Sequence, residues 1–286
     1  MPATLKRGLH LRKKLQRKPA TLEIVKGQPL ACRATFIKLR DKMAHFWQGL
    51  RSGEWLTPAR VRGYSLILLA LSIVAMAGWI ALSDGLIDPN GKPIGTDFSS
   101  FYAAGSLALE GHAADAYEPI LHHAREQSLF GAKTPYYSWN YPPVFFLIAT
   151  PLALLPYPLA LALFQAASLA LYLWVIAAIL APARQRDPVI ARNWFLVAAA
   201  FPAVFINLGH GQNGLLTAGL LGGALVTWER PIISGLCIGL LSYKPQFALV
   251  IPVALLAAGR WRTIASAALT TIALVAVSWL CFGTES

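Results

Sequence analysis

The stretch YSLILLALSIVAMAGWIALS, residues 64–83, decides the fold class, because twenty consecutive positions carry no Asp, Glu, Lys or Arg. Coiled as a helix, such a run is as long as a bilayer's hydrocarbon layer is thick, about 30 Å. Three further charge-free runs follow, at 134–183, 193–228 and 263–284. Across 286 residues, 56% are hydrophobic and only 13% charged, with mean hydropathy +0.52. That balance cannot clothe a water-exposed surface, so a soluble enzyme, a disordered chain and a collagen-like chain are excluded. The fold class is all-α, a polytopic membrane protein.

Dividing the charge at the first apolar run exposes an asymmetry. Residues 1–62 hold 15 Lys or Arg against three acids, Glu23, Asp41 and Glu54, and carry the whole net charge of +12. The rest of the chain is balanced at ten each. Beside a membrane span, the basic run LKRGLHLRKKLQRK at 5–18 reads as cytoplasmic retention and attraction to anionic lipid rather than nucleic-acid binding. Membrane lipids are expected partners and nucleic acid is not. Residues 1–60 therefore form a basic cytoplasmic tail, disordered or lying on the membrane surface, and 61–286 the transmembrane domain. Some 60 residues precede the first span, which is too many for a secretory signal. Cys32, Cys237 and Cys281 are widely spaced and read as ordinary small residues, not a disulfide framework or metal site.

With the N-terminus inside, residues 63–83 cross outward and 84–141 form an outer loop with amphipathic juxtamembrane helices. The apolar segment 143–155 is short. Taking it as re-entrant or juxtamembrane places Arg184, Arg186 and Arg192 inside, as the positive-inside rule prefers. The runs 158–181, 193–209, 213–229, 231–243, 245–259 and 263–282 then bring the total to about seven transmembrane helices. The outer turns are GHGQNG at 209–214 and YKPQ at 243–246.

No span carries an ionisable group at its middle, where a transporter's ion path commonly has one. The unusual polar residues gather instead on the outer side: Asp97, the 136–143 stretch, His210, Gln212, Asn213, Lys244 and Gln246. Phe98, Phe101, Tyr102, Gly105 and Leu109 recur at helical spacing and predict an aromatic face lying on the membrane. Asp97 opens that helix, either capping its N–H groups or serving as a general base. Lys244 is either a snorkelling lysine or a phosphate ligand. His210 is either a turn residue or a donor to phosphate or sugar, with Gln212 and Asn213 as neutral hydrogen-bond partners. Tyr136, Tyr137, Trp139 and Tyr141 fit an interfacial aromatic belt or a sugar-stacking surface. His112, His122 and His123 are expected on solvent-exposed loop helices, and no ligand cluster calls for a metal.

Read in order, GTDFSSFYAAGSLALEG, DAYEP, YPPVFFLIATPLALLP, GHGQNGLL, RPIISGLCIGLLSYKPQFALVIPVALL and AAGRWR resemble glycosyltransferase family 87 over roughly residues 60–286. The family belongs to the membrane GT-C enzymes and includes polyprenol-phosphate-mannose-dependent mannosyltransferases. The resemblance implies a GT-C-like fold with no cofactor and a multi-pass chain in a bacterial inner membrane. It also implies an active site on the periplasmic face. The donor would be a polyprenyl-phosphate sugar, mannose or another hexose, and the acceptor a lipid or glycan, with inversion at the anomeric centre. Asp97 matches the family's catalytic base. Lys244 and His210 are then expected at the donor phosphate, and Gln212, Asn213, Gln246, Tyr102 and Tyr141 at the substrates. Family members usually have more spans and continue past the point matching Ser286, so the chain is expected to be C-terminally shortened. The alternative class is a non-catalytic membrane protein, a lipid or solute transporter or an inactive remnant that binds polyprenyl phosphate without turnover.

Overall fold

The computed structural model describes residues 30–53 and 55–283, with side chains from Lys38 onward, Leu50 excepted. The chain divides between Thr57 and Pro58, three residues before the expected boundary. In the first unit, α1 (Leu30–Ser52) exposes Leu39, Met43, Phe46 and Trp47 at i, i+4, i+7 and i+8, alongside Lys38, Arg40, Lys42 and Arg51. It is an amphipathic helix. The basic run at 5–18 lies outside the described residues.

The second unit contains α2 (Pro58–Ala81), α3 (Thr96–Leu109), α4 (Pro119–Phe130), α5 (Phe146–Ala153), α6 (Tyr157–Arg186) and α7 (Pro188–Ala199). It continues with α8 (Pro202–His210), α9 (Gly214–Val226), α10 (Pro231–Gly239), α11 (Phe247–Ala257) and α12 (Trp261–Phe282). Proline in the first turn starts α4, α6, α7, α8 and α10, where its missing N–H would be unpaired in any case. The Asp187 carboxylate caps α7 by accepting from the Val189 N–H at 2.7 Å. Among the described residues there are no strands, only single bridges at Asp84–Ile87 and Ile87–Pro93.

Among the described residues four segments are long and apolar enough to cross a membrane: α2, α6, the α7–α8 pair over Pro188–His210, and α12. Pro143–Ala153, α9, Pro231–Tyr243 and α11 are apolar but shorter. Helices here pack through small residues, as they do where lipid gives no hydrophobic drive to associate. A Cβ on Gly235 or Gly239 of α10 would stand 2.4 Å from Ser266 or Thr270 of α12. One on Gly222 of α9 would stand 2.2 Å from Val175 of α6. Gly-x-x-x-Gly spacing thus seats α10 on α12.

The 84–141 segment packs through α3 on α5, α6 and α8, and here the structure corrects three expectations. The predicted helix forms at 96–109, but its aromatic face does not lie on the membrane. Phe98, Phe101 and Gly105 are buried inside the protein, because α5 and α6 supply the partner that lipid was expected to be. Phe101 meets Tyr141, Phe145 and Phe164 edge-on at 5.1–6.1 Å between centroids, each such pair contributing about 1 kcal/mol beyond burial. His122 and His123 are not solvent-exposed either. His122 is 0% exposed and His123 half-buried, its Nε2 2.8 Å from the Thr134 carbonyl, while His112 is open to solvent. Their burial follows from partners supplied by α3 and by the loop stretch 134–137. In that stretch Trp139 is buried and stacks on Phe146 at 4.9 Å, so it is core rather than an interfacial belt.

Candidate active site

Asp97 is the second residue of α3, one position ahead of the buried Phe98. Gly95 occupies the N-cap with φ +74°, and no side chain caps the helix. The capping role weighed for Asp97 is therefore not the one it plays: its carboxylate accepts a hydrogen bond from the Gln212 side-chain amide, 115 residues away. Thr96 Oγ1 lies 2.9 Å from His210 Nδ1. Two adjacent residues of α3 thus bind two residues of the α8–α9 turn.

That turn is shaped for the approach. Gly211 closes α8 in the left-handed region, φ +65°, and a Cβ there would stand 2.5 Å from the Phe98 Cβ. Only glycine satisfies both the backbone sign and the space. Asn213, directly after Gln212, is 0% exposed, with the Tyr141 side chain beside it.

Asp97 and His210 line a cavity of about 700 Å³ with two kinds of wall. Asp88, Asn90, Lys92 and Tyr137 contribute polar groups, and Met76 and Trp79 of α2 with Phe205 and Ile206 of α8 contribute apolar ones. Burial lifts the Asp97 carboxyl above the ordinary aspartate range, and His210 and the Gln212 hydrogen bond each pull it partly back. Tyr141 is raised by burial, offset by Asn213 and raised further by Asp97. The Asp97 field therefore reaches the 137–141 stretch.

The remaining expected site residues are dispersed. The Tyr102 hydroxyl donates to the Leu155 carbonyl at 2.8 Å, and its ring packs on Tyr157. This is a packing role outside the Asp97 cavity. Gln246 is exposed and lines neither cavity described here. Lys244 opens into a second cavity of about 470 Å³ walled by apolar residues of α10, α11 and α12. Its Nζ stands 6.0 Å from the Tyr243 ring, which stands 6.5 Å from Tyr141. Lys244 and His210 thus face different cavities. Burial lowers the Lys244 ammonium from its usual value. Among the described residues no group of three His, Cys, Asp or Glu gathers as a metal site.

Residues 139–286, just over half of the chain, match the model of glycosyltransferase family 87. The chain belongs to glycosyltransferase family 87. Membership makes it a membrane glycosyltransferase, an enzyme type that uses a sugar donor and an acceptor. The family 87 match takes in the α8–α9 turn and Lys244 but begins at Trp139, so α3 and Asp97 lie before it. None of the curated proteins or solved structures compared with the chain matches it.

Thr96 and Asp88 were absent from the sequence-derived site. The Asp88-x-Asn90-x-Lys92 spacing carried a usable signal: Asp88 Oδ1 accepts from the Asn90 and Lys92 N–H groups at 2.8 and 2.9 Å, an Asx-type turn that shapes the cavity rim. Because the Gln212 amide lowers the Asp97 pKa, Gln212→Leu is expected to raise it. If Asp97 must be ionised to act, the acid limb of the transfer rate moves to higher pH; a pH–rate profile of the two proteins checks the direction.

Proposed function

We propose that this chain transfers a sugar from a polyprenyl-phosphate carrier to a lipid-linked or envelope glycan hydroxyl on the periplasmic side of a bacterial inner membrane. In this reading Asp97 accepts the proton of the acceptor hydroxyl as its oxygen bonds to the sugar's anomeric carbon. The bond from that carbon to the phosphate oxygen breaks, and polyprenyl phosphate leaves with the electron pair. Displacement from the opposite face inverts the anomeric centre. Mannose or another hexose is the sugar proposed. The shorter apolar helices complete about seven crossings, with 143–155 re-entrant.

The observation that carries this reading is the Asp97–Gln212 contact at a cavity whose walls are polar on one side and apolar on the other. A carboxylate whose pKa is raised by burial is a stronger base than an exposed one. Asn213 is buried beside Tyr141, and in this reading the pair contacts the substrate. Lys244 sits at the polar end of the second, apolar cavity, an arrangement suited to a lipid phosphate with its chain alongside. His210 assists from the Asp97 side.

The experiment is transfer by the purified chain in liposomes, with radiolabelled polyprenyl-phosphate mannose as donor and an envelope lipid extract as acceptor. Label moving into a new lipid-extractable product supports the reading. Donor bound but returned unchanged identifies a non-catalytic binder instead.

A further inference from the structure

Outside the residues already assigned, the most unusual feature of the loop segment is a polar cluster buried at its centre. His122 and Glu126, one turn apart on α4, are both 0% exposed. His122 Nε2 lies 3.2 Å from Ser100 Oγ on α3 and 3.6 Å from Glu126 Oε1. Glu126 Oε2 accepts the Tyr137 backbone N–H at 3.1 Å. Ser100 stands three residues after Asp97 on the same helix, and Tyr137 lines the cavity into which Asp97 opens. The cluster therefore ties the helix bearing the carboxylate to the opposite wall of its cavity.

Two aliphatic side chains would fill the same space without the cost of desolvating an imidazole and a carboxylate. They would not hold the Tyr137 N–H and the Ser100 hydroxyl at fixed distances. The His122 Nδ1 and Glu126 Oε1 atoms have no hydrogen-bond partner, so the cluster is not arranged to maximise its own bonding. What it does achieve is placement of residue 137. We propose that His122 and Glu126 are positioning residues, holding the Tyr137 wall of the Asp97 cavity against the helix that carries Asp97.

Loosening the wall admits water and so changes the setting of Asp97. The charged or titratable groups around that carboxylate are His210 on α8, Tyr137 and Tyr141 on the loop, and Asp88 and Lys92 on the rim, with the Gln212 amide as its neutral donor. Of these only Tyr137 touches the cluster, through its backbone N–H to Glu126. Dicyclohexylcarbodiimide, which reacts with protonated carboxyls in apolar surroundings, reports on Asp97 directly when the adduct is located by mass spectrometry. In the whole chain in nanodiscs, Glu126→Leu should lower Asp97 labelling at a fixed pH near 6 by about threefold or more, as better hydration favours the ionised form. Glu126→Gln keeps an oxygen for the Tyr137 N–H and should label like the wild type. Ser100→Ala, which removes one hydroxyl and keeps the packing, should lower labelling in the same direction by less. Gly239→Ala, at the distant α10–α12 contact, serves as a control that loosens the fold elsewhere and should leave labelling unchanged.

The proposal is overturned if Glu126→Leu and Ser100→Ala label like the wild type. It is equally overturned if Glu126→Gln loses as much as Glu126→Leu, or if Gly239→Ala produces the same change. Should Glu126→Leu not assemble, Ser100→Ala with Glu126→Gln decides. The inference concerns the cavity of the proposed reaction, but its test reads carboxyl chemistry and not transfer, so failure of one is distinguishable from failure of the other.

Discussion

Asp97→Asn is expected to lower sugar transfer by 10²-fold or more, in line with the roughly 10²–10⁴-fold that a positioned general base contributes. The substitution is nearly isosteric, and its carboxamide oxygen can still accept from the Gln212 amide that now binds the carboxylate. Burial disfavours the ionised form of Asp97, so a neutral amide at this position removes a desolvation cost and should not destabilise the fold. Donor binding should persist, since Lys244 lines a cavity that does not include Asp97. The expected pattern is therefore lost turnover with retained folding and retained donor binding, measured by a transfer assay beside a thermal melt and a binding titration. A variant that keeps wild-type turnover removes Asp97 from the reaction.

The largest structural effect is expected from Gly105→Val. A Cβ at residue 105 would stand 2.3 Å from the Ala149 carbonyl oxygen and 2.6 Å from its carbon. These are backbone atoms of α5 and cannot swing aside as a side chain can, and Ala149 is itself buried. Overpacking a close core typically costs about 1–3 kcal/mol, and a branched side chain against fixed backbone belongs at or above the upper end. Because α3 carries Asp97 at its start and Ser100 in its first turns, displacing it from α5 breaks the site as well as the core. Gly105→Val should melt several degrees lower and lose transfer, whereas Gly63→Val on α2, with nothing within 4 Å, should do neither.

The contrast between these two glycines shows what was legible in the sequence. Charge-free runs locate the apolar helices, and the Phe98, Phe101, Gly105 spacing marks α3 as a helix with one apolar face. Periodicity states that a face is apolar, not what covers it. Lipid and the α5–α6 surface satisfy the same pattern, and packing distinguishes them: Gly105 lies so close to Ala149 that a Cβ would stand 2.3 Å from its carbonyl oxygen. His122 illustrates the same limit for polar groups: its type and loop setting point to solvent, while its burial depends on Ser100 and on Glu126 one turn along. On the site, grouping Asp97, His210 and Gln212 on one side of the bundle agrees with the hydrogen bonds that join α3 to the α8–α9 turn. Lys244 shares their expected side but opens into another cavity, a distinction carried by helix packing and not by the order of polar turns.

The proposed transfer requires Asp97 to face the periplasmic side of the membrane. Its most direct test is labelling by a membrane-impermeant maleimide in intact spheroplasts, with Cys32, Cys237 and Cys281 replaced by Ser. Asn90→Cys reports on the exposed rim of the Asp97 cavity, and Glu229→Cys on the turn beyond the opposite end of α9, where Glu229 pairs with Arg260 at 2.8 Å. The expected result is that residue 90 reacts before lysis and residue 229 only after it. Residue 229 reacting in intact spheroplasts while residue 90 stays protected until lysis would contradict the orientation and, with it, the proposed transfer.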